Sequence, residues 1–599
     1  MVSVVWARLE KKVRVARAVV RLRTLMRTHG SLLIPLAMIL GLCAGVVVVI
    51  MSYISQLAHV AIYGIPIDVR LSAHSAVNPF VALVAPTVGG LVLGCMEWSR
   101  RRWKLSNATD PIEANALRGG NMSMRDSLVV SGQTLISNGC GASVGLEAGY
   151  TQIGSGMASI VGRILNLRRS DVRLMVGCGA AAAIAAAFNA PLTGAFYACE
   201  LVVGVYAISS AAPIFVAALA GSMVAERLGG APYSLGLPDV GIETLQQSFA
   251  LIVLGLLAGG LGIAVMRIAA KVEQAFNRTW IPVWSRPALG GICVGAMAIY
   301  TPQVLGAGHG AMLLDLHHDM AATAIVILIV LKLAACTISL GSGFRGGLFF
   351  ASLFVGSMFG KLYAIVVALP FLGLKLGLDP TTVALTGMAT LGVAIVGGPL
   401  TMAFLVLEMT RSLDVAAAVL AACITTSAFV RETFGHSFST WRLHLRGETI
   451  SSARDIGWLR NLTVASMMRT DVRAVSDTMT ISECRQNFRL GSSQAIFAVD
   501  GKGKYRGVVS LPEIFSSDLD SAADTTRVLE LARHGSTVLL QSMDVKIAMG
   551  CFERAEADIL PVVDVASSDA IVGFLTEAYA RRRYMQELDR SIAGVARAL

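Results

Sequence analysis

Three carboxylates, Glu147, Glu200 and Glu408, stand inside long apolar stretches of this chain. An ionisable group in hydrocarbon costs enough that each needs a partner or a purpose. Glu147 lies in Gly145-Leu146-Glu147-Ala148-Gly149, which opens an apolar run and therefore reads as the first turn of a helix. In a first turn the backbone N–H groups lack intrahelical partners, the dipole favours negative charge, and glycines let a ligand approach closely. The chemistry expected there is anion binding. Gly346-Gly347-Leu348-Phe349-Phe350 offers a second terminus of the same kind. Backbone around Gly145, Leu146, Ala148 and Gly149, together with that around Leu348 and Phe349, can then converge on one desolvated anion.

Glu200 and Glu408 each follow a proline, Pro191 and Pro399, by nine residues in matching surroundings. A shared structural task, such as bonding to neighbouring backbone, is expected for both. Glu147 has no acidic counterpart, because Phe349 occupies the corresponding place, and this points to function. Phe350 reads as an ordinary core aromatic, and His309, between two glycines, as an exposed loop residue without a role. The ten cysteines are scattered, most of them within apolar runs and without metal-ligand spacing, so small buried residues and no metal site are expected. No nucleophile–base constellation, phosphate loop or cofactor fingerprint is present, so the chain does not read as an enzyme.

The elements that must position these residues repeat. Gly145 through Ser155 aligns without gaps on Gly347 through Ser357, and Pro191-Leu192-Thr193 through Glu200 aligns on Pro399-Leu400-Thr401 through Glu408. Two motifs in the same order at nearly the same separation indicate duplicated halves, about 80–225 and 285–432. In transporters such halves are often inverted, which brings equivalent helix ends together at the bilayer midplane.

Of the 599 residues 55% are hydrophobic and only 15% charged, with a mean hydropathy of +0.66. That balance excludes a wholly soluble protein and implies a polytopic helical bundle in lipid. Apolar runs cover Leu32 to Met51, Pro79 to Met96 and stretches near 172–188, 210–224, 248–266, 320–340 and 381–396. Residues 1–29 carry Arg8, Lys11, Lys12, Arg14, Arg17, Arg21, Arg23 and Arg27 against Glu10 alone, and read as a basic interfacial segment. Arg100, Arg101, Arg102 and Lys104 form a second basic loop, so the positive-inside rule places both in the cytoplasm. A secretory signal also starts basic, but the run after Ser31 is long for one and is expected to remain as a span. From Arg460 onward there are 17 basic and 18 acidic residues, so the formal excess of +11 belongs to the membrane part. Nucleic-acid binding is not needed to explain it.

The character changes near Arg446. A membrane domain is expected over 30–446, a linker over 447–460, and two copies of a strand-rich module over 461–518 and 526–586. Ala495-Ile496-Phe497-Ala498-Val499-Asp500 then Gly507-Val508-Val509-Ser510 resembles Ile559-Leu560-Pro561-Val562-Val563-Asp564 then Gly573-Phe574-Leu575-Thr576.

From about residue 30 onward these motifs resemble the CLC family of chloride channels and chloride/proton antiporters, with a tail that looks like a CBS pair. Gly145-Leu146-Glu147-Ala148-Gly149 resembles the family's Gly-x-Glu-Gly-Pro. Phe188-Asn189-Ala190-Pro191-Leu192 is similar to its Asn-Ala-Pro-Leu, Gly346-Gly347-Leu348-Phe349 to its Gly-Gly-x-Phe, and Leu305-Gly306-Ala307-Gly308 to a further glycine-rich segment. The resemblance implies an all-α membrane fold with an inverted repeat and an α+β CBS tail, a homodimer with one pathway per chain, and Glu147 as gate. It also implies an anion held near Leu348 and Phe349, and a cell-membrane location with N-terminus and tail in the cytoplasm.

Three departures accompany it. Ala108 stands where the family has an anion-binding serine, Ser439 where its anion-coordinating tyrosine is expected, and Leu201 where proton exchangers often carry an internal glutamate. Passive chloride conduction is the reading these support, with chloride/proton exchange as the alternative. A CBS-regulated sensor of other ion preference is a third, and a metal-cation transporter would need more intramembrane carboxylates than are present. In the tail, Ser510, Glu513 and Thr576 resemble part of an adenine-nucleotide site, but Tyr579 replaces the second acid. A dimerising module without cofactor is the other reading.

Overall fold

In the computed structural model, the described residues are 30–596 without 75, 104–108, 230–243, 279–280, 319, 368–376, 446–461, 492, 521 and 565–569. The basic segment 1–29, Ala108 and the whole linker 447–460 therefore lie outside the described residues. The chain divides between Asp455 and Ile456 into two units.

The first unit is helical throughout. Among its described residues eight helices are long and apolar enough to cross a membrane, and shorter apolar helices such as Pro191–Val203 and Pro399–Thr410 lie between them. The longest extend beyond their apolar runs: Leu33–Tyr63 continues twelve residues past Met51 before Gly64 ends it in the left-handed conformation. Leu33–Tyr63 packs on Ile208–Arg227, as Leu245–Arg278 packs on Leu413–Thr433. Each half therefore includes a helix ahead of the stretch in which the sequence visibly repeats.

The halves touch at equivalent residues, and reciprocally. Gly145 donates its N–H to the Gly347 carbonyl at 3.1 Å, and Gly347 donates to the Gly145 carbonyl at 3.2 Å. The Glu408 carboxylate accepts from the N–H of Leu192 (2.7 Å) and from the N–H (2.9 Å) and hydroxyl (2.6 Å) of Thr193. The Glu200 carboxylate accepts from the N–H of Leu400 (3.0 Å) and from the N–H (2.9 Å) and hydroxyl (2.6 Å) of Thr401. The rings of Phe196 and Phe404 stack at 4.2 Å with an interplanar angle of 6°. Exchanging the halves maps this set of contacts onto itself, which is the signature of a local two-fold axis. Each carboxylate satisfies the bare first turn of a helix from the other half, where proline at N1 has already removed one donor.

Within a half, glycine sets the helix spacing. Phe349–Val367 lies against Pro380–Val396 so closely that a Cβ on Gly356 would stand 2.9 Å from Met388 Cα, and one on Gly360 2.8 Å from Ala384 Cα. Dispersion between backbones replaces side-chain packing here, as is common between helices in lipid. Gly356→Val is expected to force these helices apart at a cost of about 3 kcal/mol. The check is a lower melting temperature and loss of monodisperse protein in detergent.

The second unit holds two sheets of the same design. β1 (Ala474–Ser476) runs parallel to β2 (Ala495–Val499), which pairs antiparallel with β3 (Tyr505–Ser510). β4 (Leu539–Leu540), β5 (Ile559–Asp564) and β6 (Ala570–Thr576) repeat that order. The helices Ile481–Asn487 and Val545–Ala555 make the parallel crossovers. Val475, Ile481, Ile496 and Val509 build one core, and Leu539, Val545, Leu560 and Val562 the other. The segment ahead of the first strand of each sheet covers an edge of the other sheet: Arg469 bridges Phe574 in β6, and Arg533 bridges Val508 in β3. The second unit is thus two copies of one small α+β module, the topology expected from the resemblance to a CBS pair.

Candidate functional site

The Gly145–Gly347 bridge decides what the two glycine motifs can do. Two strands of backbone meet antiparallel there, and two residues later each enters a helix, Glu147–Ile164 and Phe349–Val367. Two helix N-termini are thereby fixed side by side. No side chain caps the first of them at Leu146. Anion-favouring backbone from both halves is thus brought to one place.

The Glu147 carboxylate occupies that place. The residue is 4% exposed, and its Oε2 has no hydrogen-bond partner among the described residues. A Cβ added to Gly145 would overlap the carboxylate, and one on Gly347 would stand 3.5 Å from Oε2. The acid therefore lies between the bridge glycines, and at Gly145 only a hydrogen leaves room for it.

Two cavities meet at this residue. The larger, about 410 Å³, is lined by Glu147, Ala148, Leu348, Phe349, Tyr197 and Ser439 at its helix-start wall, with further residues beyond. The smaller, about 70 Å³, is lined by Leu146, Glu147, Tyr150, His59, Arg70, the loop Leu305–Gly308 and His309 among others. Among the described residues, Glu147 alone lines both. Side-chain charge does not make the larger cavity anionic or cationic. Arg100, Arg101, Arg286, Arg345 and Arg442 face Glu97, Asp110, Glu113, Glu147 and Glu273 across it. Several of these are already engaged: Glu97 binds Arg100 at 2.8 Å and Arg101 at 3.0 Å, and Asp110 accepts the Ile112 N–H at 2.8 Å to cap its helix. At the inner wall the positive ends of two helices therefore add to side-chain charges that balance in number.

Of the residues singled out from sequence, Glu147, Ala148, Leu348, Phe349 and Ser439 face the larger cavity and Leu146 the smaller. Gly145 and Gly149 line neither. Gly145 makes the bridge, and Gly149 is where the neighbouring helix closes in, its carbonyl accepting the Ser131 hydroxyl at 2.9 Å. Leu201 falls in a π-helical turn, Ala198–Val203, and packs with Ile112, Val176 and Val202; it lines neither cavity itself. Phe350 is fully buried, as a core aromatic should be. His309 corrects the expectation of an exposed loop residue. It begins the helix His309–His317 behind Gly308, whose φ of +98° turns the chain, and its ring stacks on Phe350 at 3.5 Å.

Sequence reasoning passed over Lys332, Arg70 and Tyr197. Lys332 is completely buried and donates to the carbonyls of Gln303 (3.3 Å), Val304 (3.1 Å) and Gly306 (2.9 Å). It fixes the glycine loop that walls the smaller cavity. The sequence carries the signal, since a lone lysine within the apolar run 320–340 is as costly as an acid.

In the tail, Ser510 and Thr576 end β3 and β6. Glu513 is held by the guanidinium of Arg533, and the Thr576 hydroxyl accepts the Tyr579 N–H at 3.4 Å.

Residues 88–431 match the family described as voltage gated chloride channel. A putative chloride channel protein, ClcB-like, from Ralstonia nicotianae is 34% identical over 370 residues, covering 60% of this chain and 84% of that one. Among solved structures, a slow cyanobacterial Cl⁻/H⁺ antiporter superposes with a TM-score of 0.59 at 22% identity, over 69% of this chain and 97% of the other. A eukaryotic CLC transporter does so with 0.57 at 15% identity, over 93% of this chain and 98% of the other. The family match spans more than half of the sequence and coincides with the paired helix starts, so the chain is a multi-pass membrane protein belonging to the voltage-gated chloride channel family, whose work is anion transport.

Proposed function

We propose that the protein conducts chloride passively, with Glu147 as the gate. The observation that carries this reading is the position of the Glu147 carboxylate, on the convergence of two helix starts and in the wall common to both cavities. An anion passing from one cavity to the other must displace it, because two negative charges cannot share one desolvated site cheaply. Leu201 supports passive conduction over exchange: it offers no group to carry a proton and packs among apolar neighbours. The test is the reversal potential in planar bilayers. For a passive conductor it follows the chloride gradient alone, whereas a displacement by a pH gradient would establish coupling.

Chloride/proton exchange is the second reading. It is favoured by the likeness in fold to a protein described as a Cl⁻/H⁺ antiporter, and it requires a proton path that avoids Leu201. Either reading takes the protein as a homodimer with one pathway per chain, in the cell membrane with the basic N-terminus and tail in the cytoplasm.

For the CBS pair we infer a structural module without bound nucleotide. Arg533 already engages the Glu513 carboxylate, and Tyr579 supplies no acid at the matching place in the second copy. ATP is expected to leave the melting temperature of the protein unchanged, since a ligand that binds only the folded state must raise it. A saturable rise would assign the tail a nucleotide.

A further inference from the structure

The helix Pro191–Tyr197 does not continue as an α-helix but widens directly into the π-helical turn Ala198–Val203. Wide turns of this kind re-aim side chains and often occur at functional positions. Here the turn separates two directions. Glu200 reaches the first turn of the opposite half's helix at Leu400 and Thr401. Tyr197, three residues earlier, faces the larger cavity together with Glu147, Phe349 and Ser439.

The Tyr197 ring rests beside Phe349, 6.1 Å between centroids and tilted by 59°. It is half-buried, and its hydroxyl has no hydrogen-bond partner among the described residues. Three other polar side chains that line the cavity, Thr151, Gln152 and Thr134, are committed elsewhere. The Thr151 hydroxyl donates to the Glu147 carbonyl at 2.9 Å, the Gln152 amide to the Thr109 carbonyl at 2.9 Å, and the Thr134 hydroxyl to the Val130 carbonyl at 2.8 Å. The ring packs beside Phe349, and the residue lines the cavity with a hydroxyl that no described residue engages. A buried hydroxyl usually finds a partner, and one left open in a cavity is a donor waiting for a ligand.

We propose that the Tyr197 hydroxyl donates a hydrogen bond to the anion inside the larger cavity, favouring small, strongly hydrogen-bonded anions such as chloride over large, weakly hydrated ones such as thiocyanate. This rests on the reading that anions traverse this cavity. The preference follows because a site with a fixed donor discriminates by how much each ligand gains from that donor. A hydrogen bond to a charged partner accounts for roughly a tenfold difference in affinity, and more when desolvated.

The test is titration calorimetry of the detergent-purified full chain with chloride and with thiocyanate, together with efflux of both from proteoliposomes. The variants are Tyr197→Phe, which removes only the hydroxyl, and Tyr197→Leu, which removes the ring as well. Tyr197→Phe is expected to weaken chloride binding about tenfold with little change for thiocyanate, lowering the chloride-to-thiocyanate ratio in both measurements. If Tyr197→Phe matches the wild type in affinity and ratio while the wild type carries chloride, this proposal falls alone. A change confined to Tyr197→Leu would assign the ring to packing and overturn it equally. A wild type that moves neither anion would remove the reading on which it rests.

Discussion

Glu147→Gln is expected to raise chloride efflux from proteoliposomes at least roughly tenfold, to remove any pH dependence of that efflux, and to leave the folded protein intact. The physical reason is that the carboxylate and the anion compete for the same space between Gly145 and Gly347, beside two helix starts. Two unit charges 4 Å apart repel by about 4 kcal/mol at the effective dielectric of a partly hydrated protein site. A neutral amide of the same shape removes that repulsion, and only the mechanical displacement of the side chain remains. Stability should not suffer, because Oε2 has no partner to lose. Efflux unchanged by the substitution, with wild-type pH dependence, would show that the anion does not pass this carboxylate.

The other intramembrane acids should behave in the opposite way. Glu408→Leu and Glu200→Leu are each expected to cost about 4 to 6 kcal/mol, since each strands two backbone N–H groups and a threonine hydroxyl that now bond to a carboxylate. That is comparable to the whole stability of many folded domains, so both variants should fail to yield monodisperse protein. The milder Glu408→Gln and Glu200→Gln keep one acceptor and turn the other into a donor facing donors. They should lower the melting temperature by similar amounts, because the two sites are copies related by the local two-fold. A clear asymmetry between them, or a stability unaffected by either, would contradict the reciprocal capping. Taken together, the acids separate cleanly: neutralising Glu147 changes transport without stability, and neutralising Glu200 or Glu408 changes stability first.

Much of this was legible in the residues. The duplicated glycine and proline motifs announced two halves, and the absence of an acid at Phe349 set Glu147 apart from the paired Glu200 and Glu408. What sequence could not convey is that equivalent residues touch each other. Periodicity and spacing describe each half alone, whereas the Gly145–Gly347 bridge, the exchanged carboxylates and the Phe196–Phe404 stack exist only after the halves meet. For the same reason Tyr197 passed unnoticed. It reads as one aromatic in an apolar run, and only the π-helical turn after it and the neighbouring half's Phe349 give its hydroxyl a direction. His309 misled because flanking glycines suggest a loop, while Gly308 in fact turns the chain into a helix whose first ring packs on Phe350. Hydropathy likewise underestimated Leu33–Tyr63. Its last turns carry polar residues such as Gln56 and His59, which face the smaller cavity rather than lipid.

The most direct test of the gate and of passive conduction is to record chloride efflux and proton uptake together, in proteoliposomes of the wild-type protein under an outward chloride gradient. Chloride movement with no accompanying uphill proton movement is the result expected of a pathway gated by Glu147 and lacking a relay at Leu201. Protons driven uphill in fixed proportion to chloride would contradict it and make the protein an exchanger.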